Sequence, residues 1–187
     1  MSELRTSDQA FLLSLARHEI AAMLKSREDL QRPDSLSSAL FENQGCFVTL
    51  HQNQELRGCI GTIEPEQALI DNVSENATNA AFRDPRFSPL TLKELDTIEI
   101  EISVLTLPEE LIFKNGEDLK RQLEPGVHGV ILSRDWHRST FLPQVWEQLP
   151  EKEMFLKHLC LKGGMGGDCW KSTDTKVEVY SASYFSE

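Results

Sequence analysis

In the stretch "CFVTLHQNQELRGCIGTI", residues 46–63, the apolar residues recur with a period of two, which is typical of β-strands. Two strand-like runs, "CFVTLH" and "LRGCIGTI", flank the polar residues "QNQE". The stretch therefore predicts an antiparallel hairpin with Gln52 and Asn53 in its turn. A glycine inside a strand usually marks a bulge or the close approach of another backbone, so Gly58 and Gly61 indicate either special packing or a site.

The alternation of the second strand predicts which of its side chains share a face. One face carries Arg57, Cys59 and Gly61, and the other carries Leu56, Gly58 and Ile60. A guanidinium beside a thiol stabilises the thiolate, which is the nucleophilic form, and Gly61 would leave space for a bound group. The same residues also fit a packing role, in which Arg57 pairs with a carboxylate and Cys59 fills a small niche in the core.

Helices and strands are interspersed irregularly along the rest of the chain. Helical spacing predicts a first helix that is capped by Asp8 and ends near Ser26, and Thr91 with Glu94 matches a capping box for a short helix. The other predicted elements are a connector over 31–45, helices over 66–84, 117–123 and 150–163, a strand over 97–106, a hairpin of 127–133 with 138–142, and a last strand around Val177 and Val179. This mixture predicts an α+β fold with a mixed, largely antiparallel sheet and packed helices, in a single domain over 1–187.

Charge and hydropathy narrow the range of partners. The formal net charge of −11 disfavours binding to nucleic acid, nucleotides and anionic lipid. A contact with phosphates would need a local basic group, such as Arg83 with Arg86. No run of apolar residues has the length of a membrane span, and the N-terminal residues do not resemble a signal peptide. We therefore expect a cytoplasmic protein that does not bind membranes.

The four cysteines are Cys46, Cys59, Cys160 and Cys169. In a cytoplasmic protein we expect reduced thiols, and Cys160 lies on the apolar stripe of its predicted helix, as an inert core thiol would. The spacing contains no C-x-x-C pair, so the sequence predicts no metal and no cofactor. His51, Cys59 and His128 would bind a metal only if folding brought them together.

His128 is a second candidate for chemistry. It lies in "GVHGV" beside glycines and within a predicted strand, as Cys59 does. Pairing of a cysteine with a histidine is a known way to activate a thiol, so His128 is a candidate base for Cys59 if the two side chains meet in the fold.

Several segments carry a resemblance to a known family. "LRGCIGTIEP", residues 56–65, resembles the signature of the AMMECR family. Similar segments follow in the family's order, namely "NAAFRDPRFSPLTLKEL" at 79–95, "EISVLT" at 101–106, "GVHGVIL" at 126–132, "TFLPQV" at 140–145 and "LCLKGGM" at 159–165. The recognisable motifs therefore extend over about residues 46–187.

The resemblance implies an α+β fold with a main lobe and a smaller lobe. It also implies partners, since such proteins are often the A component of a set called AmmeMemoRadiSam, beside a Memo-like protein and a radical S-adenosylmethionine (radical SAM) enzyme. It supplies no established reaction, although a role in modifying or binding nucleic acid or nucleotides has been proposed for the family. The site residues that it implies are Arg57, Gly58, Cys59, Ile60, Gly61 and Thr62, then Asp84, Arg86 and Phe87, then His128, Gln144, Lys162, Gly163 and Gly164.

Two functions from different classes fit these observations. The first is a cysteine-dependent modification enzyme or enzyme subunit, with Cys59 as nucleophile, Arg57 as activating or substrate-binding charge, and His128 as base. The second is a non-catalytic binding or adaptor module for a partner protein, nucleotide or nucleic acid. For Asp84 with Arg86 we also consider a local ion pair that braces a proline-rich loop, and for Lys162–Gly164 an ordinary helix end.

Overall fold

The computed structural model describes residues 4–25, 30 and 35–187. Its elements are α1 (Thr6–Leu24), a 3₁₀ helix (Ser38–Phe41), β1 (Cys46–Gln52), β2 (Glu55–Thr62), α2 (Leu69–Phe82), β3 (Ile98–Leu105), β4 (Glu109–Glu110), α3 (Gly116–Gln122), β5 (Gly129–Arg134), β6 (His137–Phe141), α4 (Val145–Gln148), α5 (Lys152–Lys162), a second 3₁₀ helix (Cys169–Lys171), β7 (Lys176–Tyr180) and β8 (Ala182–Ser186). The predicted end of the first helix, near Ser26, and the predicted start of the connector, at residue 31, lie outside the described residues.

The chain forms two compact units, Met1–Leu107 with Ser183–Glu187, and Pro108–Ala182. The first unit is built on a sheet of order β2-β1-β3-β8, and the second on a sheet of order β4-β7-β5-β6. The pairings of β1 with β2 and β3, and of β7 and β6 with β5, are antiparallel. The α+β prediction with a largely antiparallel arrangement is therefore confirmed.

In the first unit, α1 and α2 pack on one face of the sheet. That face is supplied by alternate residues of the strands, such as Val48, Leu50 and Ile100, which are fully buried. The helices contribute apolar stripes at helical spacing, as predicted, with Leu12 and Val73 also fully buried. Burying both stripes against the strands gives this unit a continuous apolar core.

The hairpin forms as predicted but differs in two details. Its turn residues are Asn53 and Gln54 rather than Gln52 and Asn53, because Gln52 pairs with Glu55; their φ values of 53° and 66° are the left-handed values of a type I′ turn. A bulge then interrupts the pairing, since Leu50 lies opposite Gly58 and His51 lies opposite Leu56. The extra residue is Arg57.

The bulge changes the predicted faces. Cys59 lies opposite Thr49, and Leu56 lies opposite His51, on the same side of β1. Leu56 therefore shares a face with Cys59, and the predicted grouping of Leu56 with Gly58 and Ile60 is wrong. A regular alternation cannot continue across a strand that contains one additional residue.

Two predicted helix starts also need correction. Asp8 is not the residue that precedes α1; it lies in the first turn, where its carboxylate accepts hydrogen bonds from Arg5 Nε and from the backbone N–H of Ser37. Thr91 and Glu94 are hydrogen bonded as in a capping box, with Glu94 Oε2 2.8 Å from Thr91 N, but consecutive turns follow instead of a helix.

The second unit has its own core around α5 and the face of the sheet that carries Val130 and Leu132. The rings of Trp146 and Phe155 stack there with centroids 3.6 Å apart. Cys160 is not an inert thiol, because it forms a disulfide with Cys169, nine residues further along the chain. The expectation that all four cysteines are reduced is therefore wrong, and only Cys46 and Cys59 are free.

Within the described part of the chain, no helix combines the length and the apolar character that a membrane crossing requires.

Candidate functional site

The LRGCIG motif lies on β2, which is an edge strand of its sheet. The main chain of Cys59 is held on its open side by two residues that follow α2. The N–H of Cys59 donates to Asp84 Oδ2 at 2.9 Å, and Arg86 Nη2 donates to the Cys59 carbonyl at 3.1 Å. We call Asp84 and Arg86 in this arrangement the edge clamp.

The edge clamp is itself an ion pair with two parallel contacts. Arg86 Nε lies 2.9 Å from Asp84 Oδ1, and Arg86 Nη2 lies 2.7 Å from Asp84 Oδ2. The Asp84 side chain is buried, whereas the Arg86 side chain is 54% exposed. The hydrogen bonds from Arg86 lower the pKa of Asp84 to about 2, so the carboxylate is charged at neutral pH. The carboxylate of the clamp therefore satisfies the outward donor of Cys59, and its guanidinium group satisfies the outward acceptor.

Arg57 is bound by a different carboxylate. Its Nε donates to Glu94 Oε1 at 2.8 Å, and its Nη2 donates to the carbonyl of Ser88 at 2.9 Å. The hydrogen bond from Arg57 lowers the pKa of Glu94 to about 2, and the hydrogen bonds from Thr91 lower it as well. The guanidinium carbon also lies 5.9 Å from the centre of the Phe87 ring, and that of Arg86 lies 5.5 Å from it. Arg57 therefore fastens the 88–94 loop to the bulge.

The Cys59 thiol is partly buried and accepts a hydrogen bond from Thr49 Oγ1 at 3.3 Å. Burial raises the pKa of this thiol, and that effect outweighs the Thr49 hydrogen bond and the charge of Arg86, which lower it. The charges of Asp84 and Glu101 raise it further. The cation that acts on the thiol is thus Arg86, not the predicted Arg57.

The glycines of the motif admit neighbouring groups of the same unit. A Cβ on Gly58 would lie 2.3 Å from the carbonyl oxygen of Ala80, so this glycine allows α2 to approach the strand. A Cβ on Gly61 would lie 2.2 Å from the Phe47 ring. The space at Gly61 is therefore filled by Phe47, which differs from the expectation that it is open for a bound group.

Two further motif residues contact the body of the first unit. Ile60 packs against the apolar core, and Thr62 Oγ1 accepts a hydrogen bond from Asn76 Nδ2 at 3.4 Å. Asn76 is a buried residue of α2, so this bond helps to fix the end of β2 on the helix.

His128 belongs to the second unit, whereas Cys59 belongs to the first. Its Nδ1 accepts a hydrogen bond from the backbone N–H of Glu124 at 3.2 Å, and its carbonyl accepts one from Trp146 Nε1 at 2.7 Å. The histidine thereby closes the turn before β5. Activation of the Cys59 thiol by His128 stays a prediction.

The remaining candidates also lie in the second unit. Gln144 immediately precedes α4, and Lys162 Nζ donates to the carbonyl of Thr140 at 2.8 Å. Gly163 ends α5, and its carbonyl lies 2.8 Å from Nδ1 of His137. Gly164 has a φ of 69°, which glycine adopts without strain. This geometry is that of a helix end, as considered for Lys162–Gly164.

The structure thus brings the motif together with Asp84, Arg86 and Phe87. Sequence reasoning missed Thr49, Ser88 and the role of Glu94. Only Glu94 left a signal, through its spacing from Thr91. Among the residues that the structure describes, no group of three or more His, Cys, Asp or Glu side chains is arranged to hold a metal ion.

Comparison with known proteins gives a consistent result. The AMMECR1 family model matches residues 13–185. A protein of Methanothermobacter thermautotrophicus is 40% identical over 177 residues, which cover 94% of this chain and 92% of that protein. Protein MJ0810 of Methanocaldococcus jannaschii is 39% identical over 157 residues, covering 82% and 78%. The crystal structure of the uncharacterized protein PH0010 from Pyrococcus horikoshii superimposes with a TM-score of 0.89 at 35% identity, covering 98% of this chain and 93% of that one.

Proposed function

The chain belongs to the AMMECR1 family, and on that premise we propose that it is a non-catalytic binding or adaptor module. Its proposed partners are a Memo-like protein and a radical SAM enzyme, and its proposed location is the cytoplasm. In this proposal the LRGCIG motif is a rigid structural element and not a reaction centre.

The observation that carries the proposal is how the polar groups of the motif are used. The edge clamp binds the main chain of Cys59, and Glu94 binds Arg57. These contacts hold the motif and the loop after α2 in one arrangement. A surface that is fixed before binding loses little conformational entropy when a partner docks, which suits an adaptor.

The thiol favours the same proposal. A nucleophilic cysteine needs a lowered pKa, and burial raises the pKa of Cys59. The space beside Gly58 is occupied by the carbonyl of Ala80, and the space beside Gly61 is occupied by the Phe47 ring. Packing is therefore a sufficient reason for both glycines.

A protein partner fits better than a nucleic acid. Two basic residues of the second unit that could contact phosphates are opposed by nearby carboxylates, since Arg134 lies 4.0 Å from Asp174 and Arg138 lies 3.9 Å from Glu178. With a net charge of −11, the chain as a whole repels polyphosphates.

Assembly tests the adaptor function. The chain, the Memo-like protein and the radical SAM enzyme are mixed and analysed by size-exclusion chromatography, with wild type and Cys59→Ser compared. We expect wild type and Cys59→Ser to form equally stable complexes with the two partners. We also expect the two complexes to be equally active. Loss of activity with an intact complex in the Cys59→Ser variant would contradict an adaptor and support a thiol nucleophile.

One observation favours the second candidate function, a cysteine-dependent enzyme. The Thr49 hydroxyl donates to the Cys59 sulfur, and Arg86 places positive charge near it, so both would stabilise a thiolate. The test is the rate of alkylation as a function of pH, followed by mass spectrometry. Cys46 is the internal control, because burial raises its pKa to about 12. A Cys59 that titrates below the ordinary thiol value of about 8.5 would support the enzyme, and one that titrates above it would support the adaptor.

A further inference from the structure

The 83–93 segment buries its acidic residue and exposes basic residues. Its acidic residue, Asp84, is buried in the edge clamp, whereas Arg83 and Lys93 are exposed and Arg86 is half exposed. Acidic residues far outnumber basic ones in the first unit as a whole. The segment therefore presents a local positive surface on an acidic body.

The segment is also held rigidly along its length. Asp84 and Arg86 bind the main chain of Cys59, and the carbonyl of Ser88 accepts from Arg57. The N–H of Leu90 donates to the carbonyl of Ala81 at 2.8 Å, and the Leu90 side chain is buried. Two prolines restrict the backbone further. Such a segment needs little ordering when a partner binds.

Apolar groups accompany the basic ones. Leu92 is 51% exposed, and the half-buried Phe87 ring has its centre 5.9 Å from the guanidinium carbon of Arg57 and 5.5 Å from that of Arg86. A carboxylate that approaches beside Phe87 would meet the half-exposed guanidinium group of Arg86.

We propose that the 83–93 segment is the surface on which this chain binds an acidic, partly apolar segment of a partner protein. The inference rests on the proposed adaptor function and names the site and the chemistry of its partner. A protein segment fits better than a nucleic acid, because the basic surface is short, contains an exposed leucine, and belongs to a unit whose net charge repels a long polyphosphate.

Charge reversal tests the site with a defined probe. A fluorescent peptide of alternating Glu and Leu residues is titrated with the full chain and followed by anisotropy. The test variant is Arg83→Glu with Lys93→Glu, and the control is Lys114→Glu with Lys157→Glu, which changes the net charge equally in the second unit. We expect about a tenfold loss of affinity in the test variant, and a change of at most about twofold in the control. Equal losses in the two variants, or no binding by wild type, would overturn the proposal.

Leu92→Ser separates a protein partner from a nucleic acid. It is expected to weaken the peptide about threefold while leaving a single-stranded oligonucleotide of equal charge unaffected, because only the peptide has an apolar side chain to bury. Tighter binding of the oligonucleotide than of the peptide by wild type would overturn the proposal in favour of a nucleic acid.

The complex with the Memo-like and radical SAM proteins distinguishes this inference from the function on which it rests. Loss of the complex in Arg83→Glu with Lys93→Glu, but not in the control, would support both. A complex that forms equally with both variants would overturn the docking site and leave the adaptor function intact.

Discussion

Two glycine-rich segments of this chain each contain a cysteine, and they are stabilised by different means. In "LRGCIG", residues 56–61, the cysteine is free and its main chain is held by an ion pair whose carboxylate is buried. In "LKGGMGGDC", residues 161–169, the cysteine is joined to Cys160 by a disulfide. Two segments of similar composition are therefore held differently, by a noncovalent contact in the first unit and by a covalent bond in the second. The two segments should respond to different perturbations.

Removing the carboxylate of the edge clamp should have the largest effect. Asp84→Ala leaves the Cys59 N–H without an acceptor and removes the partner of Arg86, so we expect a loss of about 3 kcal/mol in the free energy of unfolding. Urea denaturation measures it. The control is Asp174→Ala, which truncates a carboxylate that is 79% exposed and should cost less than about 0.5 kcal/mol. Equal losses in the two variants would contradict the role of the clamp.

Opening the disulfide should rank second and should act on the other segment. Because the bond joins residues nine positions apart, loop entropy predicts a loss of about 2.5 kcal/mol when Cys160 and Cys169 are both replaced by Ser. Urea denaturation with and without a reducing agent measures it. The variant should be insensitive to the reducing agent, and the alkylation rate of Cys59 should not change. A wild-type midpoint that is unaffected by reduction would refute the prediction.

Acid should weaken the clamp without affecting the disulfide. The pKa of Asp84 is about 2 in the folded chain and 3.8 ordinarily, so its stabilisation is complete above about pH 5 and is lost as the pH falls through about 2. Because Arg86 is exposed and its charge is partly screened by solvent, we expect protonation of Asp84 to lower the free energy of unfolding by about 1.5 kcal/mol. Asp84→Asn should therefore reduce the slope of stability against pH in this range. An unchanged slope in urea denaturation would count against the clamp.

The smallest expected effect concerns the thiol itself. Thr49→Val removes the donor to Cys59 Sγ, which raises the pKa of the thiol and should slow its alkylation at neutral pH by a factor of about two. Thr78→Val, at a hydroxyl bonded within α2, is the matched control and should leave the rate unchanged. Faster alkylation in Thr49→Val would show that the hydroxyl shields the sulfur instead.

Local patterns predicted much of the fold. The period of two located β1, β2 and β3, and helical spacing located α1, α2 and α5, because both periods follow from burying one side of an element. β8 was missed, since its apolar residues do not alternate regularly. The disulfide was missed because it depends on a Cα separation of 6.1 Å between segments that are not regularly spaced.

The candidate site was harder to predict than the fold. A regular hairpin with its turn at Asn53 and Gln54 would pair Thr49 with Gly58, and only the bulge at Arg57 places Thr49 opposite Cys59. The sequence contains no sign of which carboxylate binds Arg57, because Glu94 comes close only through the path of the 84–94 loop. The Asp84 and Arg86 ion pair was predictable from their proximity in sequence, but its contacts with the Cys59 main chain were not.

The edge clamp also affects how the folded chain behaves at high concentration. An exposed edge strand can recruit a strand from another molecule and begin aggregation. At Cys59 the donor and acceptor that an incoming strand would use are already bound by Asp84 and Arg86. An invading chain would have to break those bonds and expose a buried carboxylate, so the clamp protects this sheet against growth from molecule to molecule.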